Sequence, residues 1–255
     1  MPQNMDPVYL LEPIITILFS VGLVVYWHYR RSFRRALLGY SLIAYAGAIA
    51  VKVALQALTF SAFQARFGNN PLGLGVYFGA QTVFFEVGGA FLVAAWAVSQ
   101  GKLDAKDAES YGLGLALWEN AGYVGVLGLI NFTVVYVTLA SGGPTSEQLF
   151  SSLMGTRPEL FYAPLEALPL VGYGLLERVS SLLFHFSWGY LCLLAACLHK
   201  KNYFLLALPM GLVDFFVPFA STLTIPVFEW GIFLLGLGAL GVTLLVRRTL
   251  RYRDV

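Results

Sequence analysis

Seven apolar stretches, most of them at or beyond the ~20 residues that carry a helix across a bilayer, leave this chain few folds to choose from. They cover residues 8–27, 36–60, 72–98, 111–139, 169–198, 203–219 and 225–246. Each run is continuous and longer than the alternating segments of about 10 residues that build a transmembrane β-barrel. In hydrocarbon every backbone N–H and C=O must bond within its own segment, which selects helices. The expected fold is all-α: a polytopic transmembrane helical bundle of seven spans, with residues 1–255 as one transmembrane domain. An eighth element is the alternative, if part of 145–167 re-enters the membrane or lies at its interface. The sixth stretch is short and holds Pro209 and Pro218, which predicts a kink.

Composition supports this. Hydrophobic residues make up 58% of the chain and charged residues 12%, about half the charge of a soluble domain. Sixteen Lys and Arg against fourteen Asp and Glu leave +2, with no basic excess for nucleic acid. Cys192 and Cys197 sit in one apolar stretch and form neither a disulfide framework nor a CxxC zinc signature.

The loops divide the basic residues unevenly. Arg30, Arg31, Arg34 and Arg35 follow span one, Lys102 and Lys106 follow span three, and Lys200 and Lys201 follow span five. Arg247, Arg248, Arg251 and Arg253 follow span seven, while the opposite loops hold only Arg66 and Arg157. By the positive-inside rule the N-terminus is outside and the C-terminus cytoplasmic. The opening MPQNMDPVYLLEP has no basic n-region, so span one is read as retained and not cleaved as a signal. The longest loop, 140–168, mixes Phe150, Leu153, Leu160, Phe161 and Tyr162 with polar residues. It is expected to form a short amphipathic helix at the outer interface.

Seven ionisable residues fall inside spans: Lys52, Glu86, Glu119, Glu177, Arg178, His185 and Asp214. Each costs at least ~2.5–3.5 kcal/mol to insert, so such residues satisfy one another or line a wet cavity. In span four, Gly112, Ala116, Glu119, Gly122 and Tyr123 recur at helical spacing, setting small residues beside a carboxylate. Asn120 adds an amide next to Glu119. In span five, Arg178, Ser181 and His185 share a stripe, with Glu177 about 100° round the helix. Asp214 in span six could orient His185, ligate a metal or pair with Arg178. Lys52 reads as a partner for a carboxylate. Glu12 and Glu229 fall near span ends and are expected to face headgroups or loops.

A carboxylate and an imidazole on neighbouring helices can activate water for hydrolysis. Alternatively Glu86, Glu119, His185 and Asp214 could hold a divalent metal such as zinc as mixed N/O ligands. No HExxH motif is present.

The order of these motifs resembles one family. Glu86 in span three, GLGLALWEN ending at Asn120 in span four, E-R-x6-H from Glu177 to His185 in span five and Asp214 in span six are similar to the YhfC intramembrane proteases. That family belongs to a wider group with PrsW proteases, CAAX-prenyl endoproteases and the Aph subunit of γ-secretase. The likeness spans about 79–219, the expected polar-site core. It implies polar-site roles for Glu86, Glu119, Arg178, His185 and Asp214, and likens Asn120 to the asparagine of the PrsW Glu-Asn pair. Departures are visible: Val87 stands where the family usually has a second glutamate, Ala90 where it has an arginine, and Leu115 or a neighbour where it often has a histidine.

The resulting expectation is an intramembrane endopeptidase. Glu119 is its general base, His185 supports the water or oxyanion, Asn120 and Arg178 stabilise charge, and Glu86, Glu177 and Asp214 form the supporting network. Its partners would be membrane lipid and a transmembrane or lipid-modified peptide substrate in a prokaryotic plasma membrane. A non-catalytic scaffold on the same fold is the alternative, since the Aph subunit cuts nothing. A proton-coupled carrier ranks behind it, because an odd span count without a repeat does not suit inverted-repeat transporters.

Overall fold

A computed structural model of the chain describes residues 5–31 and 33–251; Arg253 of the basic tail and the first four residues lie outside them. Among the described residues, seven helices are long and apolar enough to cross a membrane, and there is no strand. They are Pro7–Arg30, Ala36–Phe67, Pro71–Ser99, Ala105–Ser141, Pro164–Leu198, Lys201–Ser221 and Ile225–Leu250, called spans one to seven below. Every expected apolar stretch is one of these helices, extended by a turn or more where polar residues continue it past the apolar run. The chain is an integral membrane protein built as a helical bundle.

Span five is its axis. In its most apolar window 72% of residues are buried, against 11–33% in the other six. The sequence accounts for this: the lower half of span five carries Ser187, Gly189, Cys192, Ala195 and Ala196, all buried, small enough for neighbours to close in from several sides. Gly112 of span four and Gly189 of span five cross backbone to backbone. A Cβ on Gly189 would lie 2.6 Å from the Gly112 Cα. Gly114, two residues on and so on the far side of the helix, receives Ser41 of span two. The small-residue pattern of span four thus holds two neighbours, one at each glycine. Gly122 serves no such crossing, because Trp118 of its own helix fills that space.

Two spans leave α-geometry where they carry an acid. Thr82–Val87 in span three and Trp118–Gly125 in span four are π-helical. A π-turn accommodates an extra residue and reaims the side chains that follow, and such turns are common at functional sites. Glu86 lies in the first and Glu119 in the second.

Span six is broken as its prolines require. Short α-helical pieces, Lys201–Ala207 and Val213–Phe216, alternate with 3-10 turns at Leu208–Leu212 and Val217–Ser221. Proline lacks the N–H that an α-helix needs and crowds the preceding turn. Asp214 rides on the α-helical piece between them. Phe215 beside it packs into Gly75 and Gly79 of span three, where a Cβ on Gly79 would come within 2.9 Å of the Phe215 Cβ.

The long loop forms the expected short helix, Pro144–Thr156, followed by a 3-10 turn at Pro158–Phe161. Thirteen residues at 1.5 Å each reach about 20 Å, too little to span a bilayer. The Phe150 and Phe161 rings pack 4.9 Å apart, and Tyr9 donates to the Glu159 carbonyl at 2.5 Å. At the opposite end of the bundle, Arg34 pairs with Asp107 and Arg247 with Glu109 at 2.5 Å.

Candidate active site

A cavity of about 300 Å³ opens among spans two to seven and gathers nearly all of the intramembrane charge. Lys52, Glu86, Glu119, Arg178, His185 and Asp214 all line it, with Glu177 at its edge. That volume is room for about ten waters at ≈30 Å³ each.

One side is organised by Lys52. Its ammonium donates to Glu86, to Thr82 Oγ1 at 2.8 Å and to Asp214 Oδ2 at 3.1 Å. The Thr82 hydroxyl in turn donates to Asp214. Three ammonium hydrogens meet three acceptors, drawn from spans three and six. Lys52 is thus the carboxylate partner its sequence position suggested. Asp214 pairs with this lysine and not with Arg178, because the broken span six turns it towards span two.

His185 stands next to this group. Its Nδ1 lies 2.9 Å from the Ser181 carbonyl, and its Nε2 lies 3.3 Å from Glu86. The Ser181 hydroxyl is a second neighbour of Nδ1 at 3.3 Å, so Nδ1 donates to the carbonyl or accepts from the hydroxyl according to the tautomer. The Glu86 carboxylate only accepts. The Nε2 contact is a hydrogen bond when a proton lies between Glu86 and His185. The imidazole is held in place by the Trp188 ring at 4.2 Å and the Tyr45 ring at 6.1 Å.

The other side belongs to Glu119. It accepts from the Tyr45 hydroxyl and from Arg178 Nη1 at 3.5 Å. Arg178 also donates to Glu177, and its buried Nε has no hydrogen-bond partner. Several of the five guanidinium hydrogens are therefore uncommitted. Tyr45 links the two sides: its hydroxyl binds Glu119 while its ring lies against His185.

Asn120 sits elsewhere. Its Nδ2 donates to the Arg178 carbonyl at 3.0 Å, and the residue is 1% exposed. Successive residues on a helix point about 100° apart, so Glu119 enters the cavity and Asn120 clamps span four to span five. Glu229 differs from expectation: it is buried, with Oε2 unpartnered. Glu12 is half-buried, and its carboxylate fills the space beside Gly174 of span five. Both stand in the electrostatic field of Arg178.

Sequence reasoning missed Tyr45 and Thr82. One signal was available. Tyr45, Ile49, Lys52 and Gln56 repeat at helical spacing on span two, and the last three line the cavity. Gln56 donates to Gln81 Oε1 at 3.0 Å, tying the stripe to span three.

Fold and cavity define an integral membrane protein with a buried polar site of acids, bases and an imidazole at the centre of its helices. The sequence model of the YhfC intramembrane metalloprotease family matches residues 15–224, and the chain belongs to that family. Comparison with curated proteins and with solved structures found no match.

The family's description implies a metal, and the side chains can be tested for one. His185 suits it in part: Nδ1 tied to a carbonyl leaves Nε2 for a ligand, as in most metal-bound histidines. The carboxylates do not. Glu86 and Asp214 turn to the Lys52 ammonium, and Glu119 turns to Tyr45 and Arg178. Among the described residues no three His, Cys, Asp or Glu side chains gather where an ion could be held. The donor set as packed does not fit a resident metal.

Proposed function

We propose that this protein is an intramembrane endopeptidase that hydrolyses a peptide bond in the cavity between its spans. The observation that carries the reading is that Glu119 and His185, on different helices, line one cavity with room for several waters. Glu119 is the base: it takes a proton from a cavity water as the water oxygen attacks the peptide carbonyl. Arg178, which lines the same cavity, stabilises the oxyanion that forms. The proton shared by Glu86 and His185 passes to the leaving nitrogen as the C–N bond breaks. The products are a carboxylic acid and an amine. Lys52, Thr82 and Asp214 fix Glu86, Tyr45 aims Glu119, and Glu177 steadies Arg178. Asn120 acts through the backbone of Arg178 as a positioning residue.

The substrate class that suits this cavity is a transmembrane or lipid-modified peptide reaching it laterally from the surrounding lipid. The basic loops support an outside N-terminus and a cytoplasmic C-terminus in a prokaryotic plasma membrane, with 1–255 acting as one transmembrane unit and 79–219 carrying most of the polar core.

One observation favours a second reading, a non-catalytic scaffold. Lys52 saturates its three hydrogens on Glu86, Thr82 and Asp214, as a structural cross-link would. The experiment that separates the two is incubation of the purified protein in proteoliposomes with a set of transmembrane peptides, followed by mass spectrometry of new termini. Cleavage by wild type and none by Glu119→Gln supports the endopeptidase. No new termini with either protein supports the scaffold, and equal termini with both overturn Glu119 as the base.

A further inference from the structure

We propose that Lys52 is the resident cation of this cavity: its ammonium holds the place between Glu86 and Asp214 that a divalent ion would otherwise take. The inference rests on reading the cavity as the reactive site and adds what holds its carboxylates together.

Four observations carry it. The ammonium is coordinatively complete, with each hydrogen on a separate acceptor, Glu86, Thr82 or Asp214. The group joins spans two, three and six, the kind of cross-link a metal makes. Two of its members are shielded: the side chains of Lys52 and Glu86 are 12% and 8% exposed, against 32% for Asp214, so an unpaired charge at Lys52 or Glu86 would be costly. The charge is also placed as an ion's would be: the positive ammonium sits between the Glu86 and Asp214 carboxylates.

An ammonium on these carboxylates repels any ion competing for them. Removing it would leave Glu86, Asp214 and His185 Nε2 facing one space, a mixed N/O set of the type that binds zinc. Lys52 therefore excludes the metal, and a neutral side chain of similar length should admit it.

The test uses the full chain purified in detergent, with zinc chloride as probe. Metal per chain is measured by plasma mass spectrometry after dialysis, and Tm is read with zinc chloride or with EDTA. The expected result is a wild type with far less than stoichiometric metal and a Tm that neither reagent moves. Lys52→Met should retain about one zinc per chain, with a Tm that rises with zinc and falls with EDTA. Lys52→Arg, which keeps the charge, should behave as wild type. If Lys52→Met does not fold, Lys52→Gln is read the same way. A wild type that keeps one ion per chain and loses Tm in EDTA overturns the proposal, as does a neutral variant that folds and stays metal-free. Peptide cleavage on the same preparations separates this from the endopeptidase reading. A metal-free wild type that cuts nothing counts against the protease alone, and a metal-loaded one that cuts counts against Lys52 alone.

Discussion

His185 in span five meets Glu86 in span three at 3.3 Å, while the other ring nitrogen is committed to the Ser181 carbonyl at 2.9 Å. In the proposed mechanism a proton lies across the His185–Glu86 contact. That proton gives the cavity an acid to set against the base at Glu119. His185→Ala removes it, and cleavage should fall ~10²–10⁴-fold, the usual worth of a general acid or base. Glu86→Gln should share the activity loss, because an amide cannot share that proton. Initial rates on a cleaved transmembrane peptide check both.

Tyr45→Phe isolates one hydrogen bond. It keeps the ring against His185 and removes the hydroxyl that binds Glu119. A hydrogen bond to a charged group is worth about 1.5–3 kcal/mol, so a stability loss near the lower end is expected in this hydrated cavity. Cleavage should fall with it, since Glu119 loses the group that aims it. An unchanged Tm in detergent would show that the tyrosine hydroxyl does not hold Glu119.

Lys52→Met, studied in chelator, should cost about 3–5 kcal/mol, the penalty for stripping one partner from a buried ion pair. Adding Glu86→Gln to it should recover part of that loss, because one stranded charge is neutralised. The double-mutant cycle is read from denaturation curves in detergent. Additive losses would mean that the two residues do not interact.

Gly112→Val tests the helix crossing that positions the site. Its Cβ would strike the Phe186 backbone in span five, which cannot move aside as a flexible side chain can. Overpacking costs typically 1–3 kcal/mol or more, and here it also drives Glu119 away from His185. Gly238→Ala, with nothing within 4 Å of its Cβ, should be neutral. Tm values of the two variants make the comparison.

A fluorescent reporter fused to the C-terminus should light up, since green fluorescent protein folds in the cytoplasm. One fused after the loop helix Pro144–Thr156 should stay dark. The opposite pattern would reverse the orientation inferred from the loop charges.

The spans were legible in the sequence because bilayer crossing is a property of composition and length. Pro209 and Pro218 likewise announced the broken helix that carries Asp214. The set of buried charges was legible as well, because charge inside an apolar run stands out. Their partners were not. Asp214 goes to Lys52 because of how span six bends, which spacing alone does not encode. The π-turns at Glu86 and Glu119 shift the register that a 3.6-residue repeat assumes. Tyr45 was hidden for a different reason: an aromatic residue in a membrane span looks like packing until its hydroxyl is seen on Glu119. Glu229 is buried because position near a span end predicts exposure only where no neighbouring helix covers it.

The most direct test of the central claim is peptide cleavage by wild type, Glu119→Gln and His185→Ala in the same proteoliposomes, with the Tm of each protein measured alongside. The account predicts new peptide termini with wild type only, and Tm values that show both variants folded. Cleavage that survives in a folded Glu119→Gln would contradict it, because the cavity would then have no need of its base.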